Sequence, residues 1–171
     1  MKTKLLFTIL TLICIFGTSC NDDEFDMKNP NADQFVEIIK GGHYIEKFGY
    51  ELPDFTVNDI EKLLLYSKDT SIVIQFPTNP ISSKYTNPKI LCECILWTID
   101  GIRFRNKYPS LEPCLIDTTS NTGFIEHTRL TGKKLIEISN LYIHWYKEYK
   151  ENPSETLRGK ELFKDTPYLW D

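Results

Sequence analysis

The longest mainly apolar run in the chain, Leu5 to Phe16, is twelve residues, and a helix needs about 20 to cross a bilayer. That run is therefore no transmembrane anchor. Histidine is scarce: His43, His127 and His144 are the three present. His43 follows a glycine pair in a turn, His127 precedes a helix, and His144 falls on a polar helix face, so none has a partner that would make it a catalytic base. There is no Gly-x-Ser-x-Gly elbow for a serine nucleophile. There is also no glycine loop to cradle phosphate and no basic patch interleaved with aromatics, which drops nucleotides and nucleic acid as partners. Cys92-Glu93-Cys94 carries ligand atoms in the wrong geometry for a helix, and His144 with Glu148 lacks a third ligand. No metal and no cofactor is expected, and no repeat suggests a solenoid.

What the sequence does have begins at its first residues. Lys2 and Lys4 precede the apolar run, which has the length of a signal h-region. Gly17-Thr18-Ser19-Cys20 then resembles the lipobox cut by lipoprotein signal peptidase, although Gly17 stands where leucine is usual. Residues 1–19 are expected to be a removed lipoprotein signal peptide, with Cys20 acylated at the new N-terminus. The alternative is an ordinary secretory leader with an incidental cysteine. Asn21-Asp22-Asp23-Glu24-Phe25-Asp26 opens an acidic tether, residues 20–30, expected to be disordered. It resembles the acidic export signal that sends Bacteroides-type lipoproteins to the outer face of the outer membrane; a periplasmic location is the alternative. The whole chain has 20 basic and 24 acidic residues, a formal charge of −4. Loss of Lys2 and Lys4 with the leader leaves 18 against 24, or −6. An acidic body argues against nucleic acid or anionic headgroups as partners.

Processing would leave Cys92, Cys94 and Cys114 as thiols, so at most one internal bridge can form. Cys92 and Cys94 point about 200° apart on a helix and should not join each other, so Cys114 would have to choose one of them. Cys94 with Cys114 is the preferred pair, and buried free thiols are the alternative. Asn31 caps a first helix with Gln34 completing a box, and Gly41-Gly42 ends it. Thr56 with Asp59, and Phe55 placed to staple on Ile60, start a second that runs to about Ser67. Ile72 to Phe76 is a brief strand or extended segment. A third helix, capped by Asn87 and running to about Lys107, is apolar on two sides: Leu91, Ile95, Ile99 and Ile102 on one, Ile90, Trp97 and Phe104 on the other. Glu93 and Asp100 lie between the stripes, and both are expected to pair with Arg103 or Arg105, Arg103 standing one turn beyond Asp100. A fourth helix spans about Arg129 to Asn152, and Pro167 to Trp170 docks as an apolar tail.

Four stretches resemble a known family: Leu52-Pro53-Asp54-Phe55-Thr56, Asn79-Pro80-Ile81-Ser82-Ser83, Leu96-Trp97-Thr98-Ile99-Asp100-Gly101-Ile102-Arg103, and Thr166-Pro167-Tyr168-Leu169-Trp170. The chain resembles an uncharacterised lipoprotein family of Bacteroides, the domain of unknown function 4943. That resemblance implies an envelope location and a single domain, and supplies no active site.

The expected fold is mainly α, a single domain over 31–171, with four to five helices around the central one, long proline-rich loops and at most one short strand pair. The expected function is a non-catalytic binding module tethered to a membrane by its lipid. It would contact a protein, peptide or glycan through Phe76, Tyr85 and Tyr108. Alternatives are an immunity or inhibitor lipoprotein, and an envelope hydrolase using Glu93 and Asp100. Asp117-Thr118-Thr119 resembles the O-glycosylation sequon of Bacteroides envelope proteins, with Thr118 as acceptor, or is an Asx turn.

Overall fold

The computed structural model describes residues 24–82, 88–119 and 128–171. The leader, Cys20, Tyr85, Asn87 and His127 lie outside the described residues. Among those described are six α-helices, α1 (Ala32–Gly41), α2 (Tyr44–Phe48), α3 (Ile60–Leu64), α4 (Leu91–Phe104), α5 (Lys133–Glu151) and α6 (Glu155–Arg158), with a 3-10 turn at Val57–Asp59. Five short strands accompany them: β1 (Ile72–Val73), β2 (Lys89–Ile90), β3 (Leu115–Asp117), β4 (Thr128–Arg129) and β5 (Tyr168–Trp170). They form an antiparallel β1-β2 pair and a three-stranded antiparallel sheet ordered β4-β3-β5. The fold is thus mixed α/β, not mainly α, and holds two sheets where at most one strand pair was expected.

The core is built around α4. Every residue from Leu91 to Asp100 is buried, as are Ile102 and Arg103, as a helix apolar on two faces requires. Its first turn is capped by backbone: the amides of Leu91 and Cys92 donate to Ser71 O and Asp69 O at 2.9 and 2.8 Å. Residues 89–90, expected to be helical, are instead held extended by pairing with β1.

Local caps start two helical segments. Asn31 Oδ1 accepts from the amides of Asp33 and Gln34 at 2.8 and 3.2 Å. Thr56 and Asp59 form a reciprocal box, with Asp59 Oδ2 2.7 Å from Thr56 N. The fourth helix begins at Lys133 rather than Arg129. Gly132, at φ +52°, breaks it from the β4 segment, and Thr128 and Arg129 pair with Asp117 and Ile116.

Packing also begins earlier than the tether suggested. Phe25 is buried against Phe35 and Phe48, and Asp54 N donates to Met27 O at 2.9 Å. Phe35 is the hub of this end, in ring contact with Phe25, Tyr44, Phe55 and Phe76.

Candidate functional site

The two carboxylates of α4 are closed inside the protein. Glu93 is fully buried; Oε1 accepts from Leu115 N at 2.8 Å, and Oε2 pairs with Arg129. Burial pushes its carboxyl above the ordinary range, against the pull of the Arg129 guanidinium. Asp100 pairs with Arg103 as expected, and its other oxygen accepts from Tyr142 Oη at 2.7 Å and Trp170 Nε1 at 2.8 Å. The Arg103 guanidinium lies 4.4 Å from the Trp145 ring centroid and 5.0 Å from that of Phe104. Glu93 therefore fastens α4 to the three-stranded sheet, and Asp100 fastens it to α5 and the C-terminal strand. Both carboxylates are buried and taken up by these partners, and neither lines a groove described among these residues. Arg129, carried in by β4, takes the place expected for Arg103 or Arg105 beside Glu93.

Other expected residues are also engaged by the fold. Phe76 is buried between Phe35 and Trp97, with ring centroids at 6.2 and 5.7 Å, so it is no surface anchor. Tyr108 is half-buried on Trp97, and its hydroxyl donates to Tyr50 O at 3.0 Å. Cys92, Cys94 and Cys114 are buried free thiols, and the expected Cys94–Cys114 bridge is not formed. Thr118 is exposed with its hydroxyl donating to Pro167 O at 2.9 Å, while Asp117 Oδ1 accepts from the Thr119 amide in an Asx turn. His144 and Glu148 pair at 3.0 Å on the wet face of α5. Among the described residues no three potential metal ligands cluster.

What the structure brings together instead is a groove of about 370 Å³ between the 52–57 segment and the end of α4. Pro53, Phe55, Val57, Thr98 and Ile102 give it a mainly apolar wall, and Asp54, Arg105, Asn106, Lys107 and Arg158 a charged rim. Gly101 permits this shape. A Cβ there would sit 3.0 Å from Asn106 O, so the absence of a side chain lets the 105–107 turn fold back on the helix. Asn106 N donates to Gly101 O at 3.0 Å, closing a Schellman-type cap in which Arg105 takes the left-handed position at φ +52°. It is the one non-glycine residue at positive φ among the described residues.

The rim concentrates positive charge on an acidic chain. Asp54 pairs with both Lys28, at 3.1 Å, and Lys107, at 2.9 Å, and these ammonium groups hold its carboxyl below the usual range. Arg105 reaches Glu155 at 2.6 Å with both side chains largely exposed, at 65 and 75%. Arg158 donates to Ile102 O and Arg103 O at 2.7 and 3.1 Å. The residues that line the groove thus carry three cations, Arg105, Lys107 and Arg158, and one carboxylate, Asp54. The clue in the sequence was Arg103, Arg105 and Lys107 within five residues of an otherwise acidic chain, but only the fold separates the buried first from the exposed other two.

A second groove, of about 360 Å³, opens on the other side of the 3-10 turn. It is lined by Asn58, Tyr146, Tyr149, Pro153 and the exposed pair Glu61–Lys150, and it shares Val57 with the first.

No curated protein and no solved structure matches this chain. A family model described as Domain of unknown function (DUF4943) matches residues 26–171, nearly all of what is described above, and the chain belongs to that family.

Proposed function

We propose that this protein is a cell-envelope lipoprotein, anchored through Cys20 and displayed at the outer membrane, that binds a partner in the groove beside Arg105 and performs no catalysis. One observation carries the binding reading: an open groove with an apolar wall and a cationic rim, set on a chain of net charge −4. Local charge opposite to the overall charge focuses ligands of the opposite sign. An anionic, partly apolar ligand fits this site better than the basic target that an acidic inhibitor surface would suit.

The anchor reading rests on the leader, the lipobox resemblance and Cys20. No described helix is long and apolar enough to cross a membrane. If Cys20 is acylated, five residue steps separate it from packed Phe25, at most about 18 Å of chain. The Met27–Asp54 hydrogen bond ties the groove wall to the first packed residues of the chain, which on this reading follow the anchor.

Two experiments test the two halves. Cys20→Ser should abolish metabolic labelling with an alkyne fatty acid and release the protein from membranes; unchanged labelling sinks the anchor. A photo-crosslinking amino acid in place of Val57 or Asn106 should capture a discrete partner in cells, and one in place of exposed Ile72 should not. Equal capture at all three positions sinks the groove.

A further inference from the structure

We propose that the two grooves on either side of Val57 form one track, and that its ligand is an extended peptide carrying carboxylates at one end and proline or aromatic side chains at the other. This rests on the groove-binding reading above and specifies its ligand class. Val57 lines both grooves, so a chain leaving one enters the other across that side chain. Each groove has a volume near the lower end of small-ligand sites, about 300–1,000 Å³. That is room for a few side chains and not for a folded domain.

The character of the track changes along its length, and this selects the ligand. At one end Arg105 and Lys107 offer a guanidinium and an ammonium, both exposed and both held by exposed ion pairs. Such pairs contribute little in water, so an incoming carboxylate exchanges them readily. At the other end Tyr146 and Tyr149, one helical turn apart on α5, stand with Pro153, and Tyr149 stacks on Trp145 at 5.7 Å. Rings arranged in a groove are what an extended proline-containing segment docks on, because its backbone is already ordered before binding. A lipid headgroup or a glycan can bring an anion to the cationic end but has no aromatic or proline side chain for the tyrosine end. A peptide can present an acid at one position and a ring at another.

Detergent-solubilised full chain panned against a displayed random dodecapeptide library provides the probe, with the enriched peptides then synthesised and their affinities read by fluorescence anisotropy. Enrichment of Asp or Glu towards one end and of Pro or aromatic residues towards the other is expected. Arg105→Glu with Lys107→Glu should weaken binding at least tenfold. Replacing the peptide's acids by amides should weaken it similarly and make it indifferent to that charge reversal. Tyr149→Leu, which keeps an apolar contact on Trp145, and Lys150→Glu should each weaken binding at least threefold, with melting temperatures confirming that the variants fold. If charge reversal matters but neither Tyr149→Leu nor Lys150→Glu does, the track is wrong and the first groove stands. If none of the substitutions matters, both readings fail. Enrichment of no peptide, or of basic peptides, or binding only to anionic vesicles or to glycans, overturns the peptide class.

Discussion

Replacing Arg105 by glycine should leave the protein at least as stable and make it a poorer binder. At φ +52° the Arg105 Cβ crowds the neighbouring backbone, a strain of about 1 kcal/mol that glycine does not suffer. The substitution also removes the pair with Glu155, whose side chains are 65 and 75% exposed; a pair of that kind is worth about 0–1 kcal/mol. Arg105→Ala separates the two effects, since it loses the pair and keeps the strain. The glycine variant should exceed the alanine variant by about 1 kcal/mol, a melting temperature about 2–4 °C higher for a domain of this size. Both should lose affinity for acidic peptides alike. Thermal unfolding followed by circular dichroism reads the first difference and anisotropy the second. A glycine variant no more stable than the alanine variant would refute the strain, and full binding by either would refute the role of the guanidinium.

The remaining predictions concern the interior and its edges. Burial, with Glu93 nearby, pushes the Cys114 thiol up to about 11 and that of Cys92 to about 12, so the native protein should resist a thiol reagent at pH 8. Three thiols should react after denaturation in the mature acylated chain; one reacting thiol would mean that a disulfide exists. Lys134 and the Thr119 donors hold the Asp117 carboxyl at about 2. Because this folded value lies below the unfolded one, the stability it contributes is complete above about pH 5 and is lost as pH falls towards 2. Asp117→Asn should therefore flatten the acid limb of the melting curve between pH 5 and 2, and an unchanged slope would contradict this. Asp100→Asn leaves the Arg103 charge buried without its counter-ion and should cost about 3 kcal/mol in urea unfolding; a loss below about 1 kcal/mol would show that the pair does not hold α4 to its neighbours.

Local chemistry was legible in the sequence. Asn31 and the Thr56–Asp59 box act over two or three residues, and the two apolar stripes of α4 follow from 100° steps along one helix. The Asp100–Arg103 pair spans a single helical turn and was legible for the same reason. Long-range pairing was not. Strands of two or three residues carry no readable alternation, and β3 is held by β5, with Ile116 opposite Leu169. Those pairings turn an expected helical bundle into a mixed fold. Phe76 looked like a loop aromatic because only the folded chain sets it between Phe35 and Trp97. The groove joins the 52–57 segment to the end of α4 and to Arg158, parts of the chain that no local pattern relates.

Amide chemical-shift mapping with the tightest panned peptide tests the groove as the binding site most directly. The largest shifts should fall on the amides of Asp54 to Val57 and of Gly101 to Lys107 and continue through Asn58, and they should vanish in the Arg105→Glu, Lys107→Glu variant. Shifts centred on Ile72 and Ile74, or spread evenly over the domain, would contradict the account.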